Sequence, residues 1–198
     1  ARLFYLSTKE VSNKEFRQFA AGHDSGKYEE ETLNDDDMPV VRVSWKEAVL
    51  FCNWLSNQEG FDPFYDIQLG KLIGINKLST GFRLPTEAEW AWAARTEPDK
   101  NKPLNKFPWG QQLPPPDRTG NYADRAAANL VGRIIFGYND NHSAAAPTGT
   151  FKSNSRGLYD LGGNAAEWIH DYYEIPDTLV KNDPLGPQIG DFHVIRGS

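Results

Sequence analysis

The chain has 198 residues and a net charge of −6, from 21 basic and 27 acidic side chains. That length suffices for one domain with a substantial core, the lack of a basic stripe argues against a surface that tracks nucleic-acid phosphates, and no apolar run approaches the ~20 residues that span a bilayer. A single cysteine, Cys52, excludes an internal disulfide framework and any cysteine-pair metal site within these residues. Plentiful glycine (17), proline (13) and aromatic residues (13%) predict a loop-rich α+β domain that fills its interior with large rings.

In chain order, the first expected element is an extended segment at 4–6. A helix follows from Ser12-Asn13-Lys14-Glu15, a capping box in which the hydroxyl accepts from the third helical amide and the glutamate reaches back to the cap amide. Phe16, Phe19 and Ala20 then occupy one face. The acids concentrated at 29–37 (EEETLNDDD) read as a solvated loop, with cation binding or a basic partner as the alternative.

A second extended segment is expected at 40–43, before a second capping box, Ser44-Trp45-Lys46-Glu47. Behind it Ala48, Phe51, Cys52 and Leu55 follow the i, i+3, i+4, i+7 pattern of a buried stripe. Cys52 lies in that stripe and reads as a small core residue, since a reactive thiol wants exposure and a positive neighbour. The third box, Thr86-Glu87-Ala88-Glu89, follows Arg83-Leu84-Pro85, where Pro85 disfavours helix at Leu84. Trp90 and Ala94 share one face of this helix.

Beyond it the chain is rich in turns. Five prolines at 103–116 predict ordered loop and not sheet. Short extended segments are expected at 148–151 and 193–196. Trp45, Trp54, Trp90 and Trp109 are assigned core or turn roles. The histidines at 23, 142, 170 and 193 show no paired metal-ligand spacing and read as surface or hydrogen-bonding residues.

One stretch carries more chemistry than a core needs. In DLGGNAAE (160–167), Asp160 and Glu167 flank a glycine-rich turn that can aim carbonyls inward. Hard cations such as calcium take six to eight oxygens and mix carboxylate with backbone carbonyl. The competing reading is that these acids cap turns and helix ends.

The landmarks EVSNKEFRQF (10–19), PVVRVSWKEAVLFCNWLS (39–56), GFRLPTEAEWAWAAR (81–95), FPWG (107–110), GNYAD (120–124), APTGTF (146–151), RGLYDLGGNAAEW (156–168), DPLGP (183–187) and VIRGS (194–198) occur in an order that resembles the formylglycine-generating-enzyme (sulfatase-modifying-factor) family. That family adopts a variant of the C-type-lectin-like fold. The resemblance implies one structural calcium site on the side chains of Asp160 and Glu167 and the carbonyls of Gly163 and Ala165. It implies a second on the side chains of Asn121 and Asp140 and the carbonyls of Tyr122 and His142. An ion that binds only the native state would stabilise a loop-rich fold by mass action.

Family enzymes oxidise a sulfatase cysteine to formylglycine with oxygen and a copper ion held by two cysteines, soft ligands suited to Cu(I). By the resemblance, that pair follows an RGGSW-like motif, which begins here as Arg196-Gly197-Ser198, with Ser198 at the position of a serine near the active site. Copper is therefore expected only if a following segment supplies the pair. Ala166 stands where the family commonly carries a large aromatic residue. The family comparison also predicts that the domain, read as a single unit over 1–198, continues beyond both ends.

Two functions are consistent with these residues: a copper- and oxygen-dependent oxidase, or a noncatalytic binding module whose loops face a protein or peptide ligand, as in retroelement-diversified relatives. A calcium-stabilised scaffold and the family's habits, including its many bacterial members, favour the periplasm, cell surface or secretory route.

Overall fold

The structure, a computed structural model, describes residues 3–97, 99, 101–175, 182–187 and 189–197. Three helices, α1 (Asn13–Phe19), α2 (Trp45–Gln58) and α3 (Glu87–Arg95), begin where the capping boxes place them. In each, the Ser12, Ser44 or Thr86 hydroxyl accepts the N–H of the glutamate three residues on, while that glutamate accepts the cap N–H at 2.8 Å. Two otherwise orphaned amides are satisfied at each start.

The core forms where α2 meets the segment after it. Val49, Cys52, Phe64 and Tyr65 are its buried centre. Relative to the expected stripe, the buried face is rotated: Phe51 and Cys52 are inside, but Val49 and Ser56 are buried in place of Ala48 and Leu55. Ser56 explains part of this, because its hydroxyl donates to the Cys52 carbonyl and accepts the Phe82 N–H. A hydroxyl so satisfied carries no desolvation penalty and ties α2 to the chain entering α3. Phe16 and Phe19 of α1 pack edge-on or tilted against Phe51, with ring centroids 5.3 and 6.0 Å away.

The strands are short and pair antiparallel in twos: β1 (Lys27–Tyr28) with β2 (Glu31–Thr32), β3 (Tyr65–Gln68) with β4 (Lys71–Ile75), and β5 (Glu167–Tyr172) with β6 (His193–Arg196). The β3–β4 connection places Leu69 and Gly70 at φ 47° and 73°. Two left-handed residues match the twist of a tight hairpin. β5 is the inner strand: Ile169, His170 and Asp171 are buried. Trp45 of α2 donates its indole N–H to the Ile169 carbonyl, and His170 donates its amide to the Pro85 carbonyl.

Of the four expected extended segments, 193–196 is a strand. Residues 4–6 pair with no strand, and the 40–43 segment makes one ladder-like bond, Val40 N–H to the Val11 carbonyl, beside a bridge between Ser12 and Pro39. Residues 148–151 form a turn, because Asp37 accepts the Thr148 amide and Pro147 accepts that of Thr150. All six acids of 29–37 are exposed, but the segment is not loop throughout, because Glu31 and Thr32 form β2. The four named tryptophans are half-buried, and the proline-rich 103–116 stretch contains no strand. No helix among the described residues is long and apolar enough to cross a membrane.

Candidate cation site

The glycine-rich turn lies just before β5, held open by left-handed residues at both ends of its first half. Asp160 has φ 59° and Asn164 φ 68°, conformations that short polar side chains adopt more readily than others. Gly163 sits so close to the neighbouring loop that an added Cβ would lie 2.1 Å from the Asn121 carbonyl. Only glycine fits there.

Asn164 holds the turn together. Its side-chain amide donates to the Glu10 carboxylate at 2.8 Å and to the Ala146 carbonyl at 3.0 Å, and its oxygen accepts the Ala146 N–H. Its own amide donates to the Asn121 carbonyl. Glu10, preceding α1, also accepts the Ala165 N–H at 3.0 Å. A carboxylate 150 places upstream is thereby brought against the turn. Sequence reading missed it; its position in the first landmark, directly before a capped helix, was its only signal.

Three acids now share one region. Asp160 accepts the Gly149 N–H through Oδ2 at 2.7 Å, while its Oδ1 is buried without a partner among the described residues. Glu167 accepts the Trp90 indole N–H. An added Cβ on Gly197 would lie 3.1 Å from the Ala165 carbonyl oxygen and 3.4 Å from Glu167 Oε2, so these two predicted ligands both lie against Gly197.

Burial pushes Glu10 up to about 8, against the pull of the Asn164 bond and with the charges of Asp160 and Glu167 adding to the rise. Glu167 rises to about 7, chiefly by burial, with a contribution from Asp160. Burial also raises Asp160, and Lys9 opposes that rise. Without a cation, these acids resist ionisation together.

Among the described residues, no three His, Cys, Asp or Glu side chains meet as a ready ligand set. A bound ion would have to be completed by backbone carbonyls, which is what a hard cation accepts and a soft one does not. The orphaned Asp160 oxygen, the raised acids and the placing of the Ala165 carbonyl and Glu167 against Gly197 fit calcium. Asp160 and Glu167 would hold it by their side chains, Gly163 and Ala165 by their carbonyls, with Glu10 the added carboxylate.

The second predicted set is arranged differently. Asp140 accepts the Tyr122 and His142 amides, one on each carboxylate oxygen, both at 2.8 Å. Its charge is thus met by backbone N–H groups. Buried Asp124 accepts the Asp140 amide and its charge helps burial raise Asp140. Asn121 turns its side-chain amide to the Ala144 carbonyl and to Asn164, joining the first turn. The structure therefore brings Asp140, Tyr122 and His142 together and sends the Asn121 amide towards the 160–167 turn.

The remaining residues of interest separate. Cys52 is inside the core, where burial pushes its thiol up to about 12. Ala166 is exposed. His170 is buried with Nδ1 3.2 Å from the Tyr65 hydroxyl, which also accepts the Leu84 amide. His193 stacks between Trp45 and Tyr172 at 3.6 and 4.0 Å. Ser198 lies outside the described residues.

A fold of short paired strands and three capped helices, organised around a glycine turn and its acids, is the loop-rich α+β architecture of the C-type-lectin-like class. The chain belongs to the sulfatase-modifying factor enzyme 1-like family, whose model matches residues 1–198. It is 31% identical over 168 residues to a formylglycine-generating enzyme of Thermomonospora curvata, a match covering 80% of this chain and 43% of that protein. It is 27% identical over 190 residues to a chaperone protein, LppX, of Paenibacillus barcinonensis, covering 88% of this chain and 64% of that one. The solved structure of Treponema denticola variable protein 1 superposes with a TM-score of 0.72 at 25% identity, over 95% of this chain and 70% of the other. The chain thus spans less than two thirds of the length of either curated relative.

Proposed function

We propose that these residues form a calcium-stabilised, noncatalytic binding domain of the formylglycine-generating-enzyme type, presenting its loops to a protein or peptide ligand. The observation that carries this reading is Cys52. It is the one thiol in the 198 residues, and it is walled into the core with its ionisation suppressed. Copper-dependent cysteine oxidation needs thiolates to hold the metal, and these residues offer none. They do offer a scaffold whose acids favour a hard cation and whose connections are mostly surface loops, the usual carriers of ligand contacts.

The alternative, an oxidase of the family type, requires a cysteine pair supplied from outside residues 1–198. The reading is tested by incubating the protein with a cysteine-containing peptide, copper and oxygen, and weighing the peptide. Unchanged mass is expected; loss of the thiol mass with appearance of an aldehyde overturns the noncatalytic reading. A calcium-held scaffold also suits the periplasm, cell surface or exterior, where calcium reaches the millimolar range that weak structural sites need.

A further inference from the structure

A cleft of about 270 Å³ lies between the 118 and 139–142 loops and the 148–151 turn, lined by Arg118, Asn139, Asn141, His142, Thr150 and Phe151, with Asp140 at its inner wall. The volume admits one side chain or small acid and no large cofactor. We propose that this cleft binds a carboxylate, with Arg118 as the group that recognises it.

Arg118 is the basis of the assignment. Its side chain makes no ion pair or hydrogen bond among the described residues, although the chain carries a net charge of −6. Arg17, Arg83 and Arg196 each have a carboxylate partner; Arg118 differs from the other arginines without one, such as Arg42 and Arg133, in lining a cleft. The acid that lines the same cleft, Asp140, already accepts a backbone amide on each oxygen, so it is engaged with the chain and not with the guanidinium.

The backbone under Arg118 is fixed: φ is 61°, and its carbonyl accepts the Lys152 amide at 2.8 Å. Such left-handed non-glycine positions are strained and persist where surrounding contacts hold them. Asn141, across the cleft, is also left-handed, at φ 69°.

The other groups complete an acceptor's environment. Asn139 donates its side-chain amide to the Asn141 oxygen, which leaves the Asn141 amide hydrogens available. Thr150 donates its hydroxyl to the Pro147 carbonyl. The His142 ring packs edge-on to buried Phe151 at 5.8 Å, and its nitrogens have no partner among the described residues. A guanidinium fork beside an amide donor matches the planar, two-oxygen shape of a carboxylate, and an aromatic floor accommodates the methylenes behind it. The two sources of that chemistry are an acidic side chain of a peptide and a free small carboxylate.

The inference rests on the binding reading above and supplies its ligand class. Backbone amide NMR of the whole chain tests it, in titrations with N-acetyl-glutamate N-methylamide, its glutamine counterpart and acetate. The expected result is shifts confined to residues 118, 139–142 and 150–151, with the glutamine compound about tenfold weaker. Arg118→Gln abolishes the response without lowering the melting temperature, and Arg133→Gln, at another exposed arginine, retains it. A stronger response to the glutamate derivative than to acetate identifies a peptide side chain; an equal one identifies a free carboxylate. No shift at tens of millimolar, equal shifts with the glutamine compound, or an unaltered response in Arg118→Gln overturns the assignment. Calcium stabilisation is read separately by melting, so losing the cleft leaves the scaffold reading standing.

Discussion

Under the calcium reading proposed above, Glu10 and Asp160 would set the turn's response to the ion, with opposite signs in its presence and absence. Burying acids that repel one another destabilises the ion-free fold, whereas an ion that binds only the folded state stabilises it by mass action. For the parent chain, calcium at ~100 times its dissociation constant should add about 2.7 kcal/mol, roughly 5–10 °C in a domain of this size. Glu10→Gln should gain much less from calcium than the parent, and in chelator its relief from repulsion is set against the loss of one of the bonds to Asn164 and Ala165. Asp160→Asn should also gain less, and should melt at or above the parent in chelator, since its buried Oδ1 has no partner among the described residues to lose. Differential scanning fluorimetry with and without chelator reads both. A calcium increment unchanged in either variant would remove these acids from the site.

At the level of elements, the helix starts were legible because a capping box is a four-residue event whose partners are three residues apart. The strands were harder. β3 alternates, with Tyr65 and Ile67 inward and Asp66 and Gln68 exposed, but for four residues only, whereas β4 is exposed at its first three positions and β5 is buried at three successive ones. β4 and β5 therefore lack the period-two pattern that marks a half-buried strand. The glycine turn at 160–167 was legible as a local motif. Glu10 was not, because only the folded chain brings it to Asn164 and Ala165.

The three boxes also differ in consequence. Glu15 and Glu47 serve their own caps, but Glu89 additionally forms a forked pair with half-buried Arg83, at 2.7 and 2.6 Å. Glu89→Ala should therefore cost more than the ~1 kcal/mol typical of a lost cap, while Glu15→Ala stays near that figure. Urea unfolding of the two variants gives the comparison, and equal losses would show that the Arg83 pair adds nothing.

For the molecule as a whole, acid sensitivity follows from His170. Burial, assisted by Arg83 and His193, lowers it to about 4 from an ordinary value of 6.5. Its folded form stays neutral while the unfolded chain takes up a proton, so the stability it contributes is present above about pH 6.5 and is lost as pH falls towards 4. Unfolding midpoints measured in urea from pH 7 to 4.5 should fall, and His170→Gln should flatten that fall whatever its effect at pH 7. An undiminished slope in the variant would assign the acid response to other groups. The fold class and landmarks were readable along one dimension. The packing of β5 between α2, α3 and β6, which gives His170 its surroundings, was not, because it joins segments distant in the chain: Trp45 lies 124 residues from Ile169, and Glu87 lies 84 from Asp171.

The burial of Cys52 has a practical consequence for following this fold. A chain with one thiol, sealed among Val49, Phe64 and Tyr65, carries its own clock for opening. A thiol-reactive reagent meets that sulfur only when α2 leaves the core, so the rate of mass addition at fixed reagent counts how often the core is breached. No label or engineered cysteine is needed.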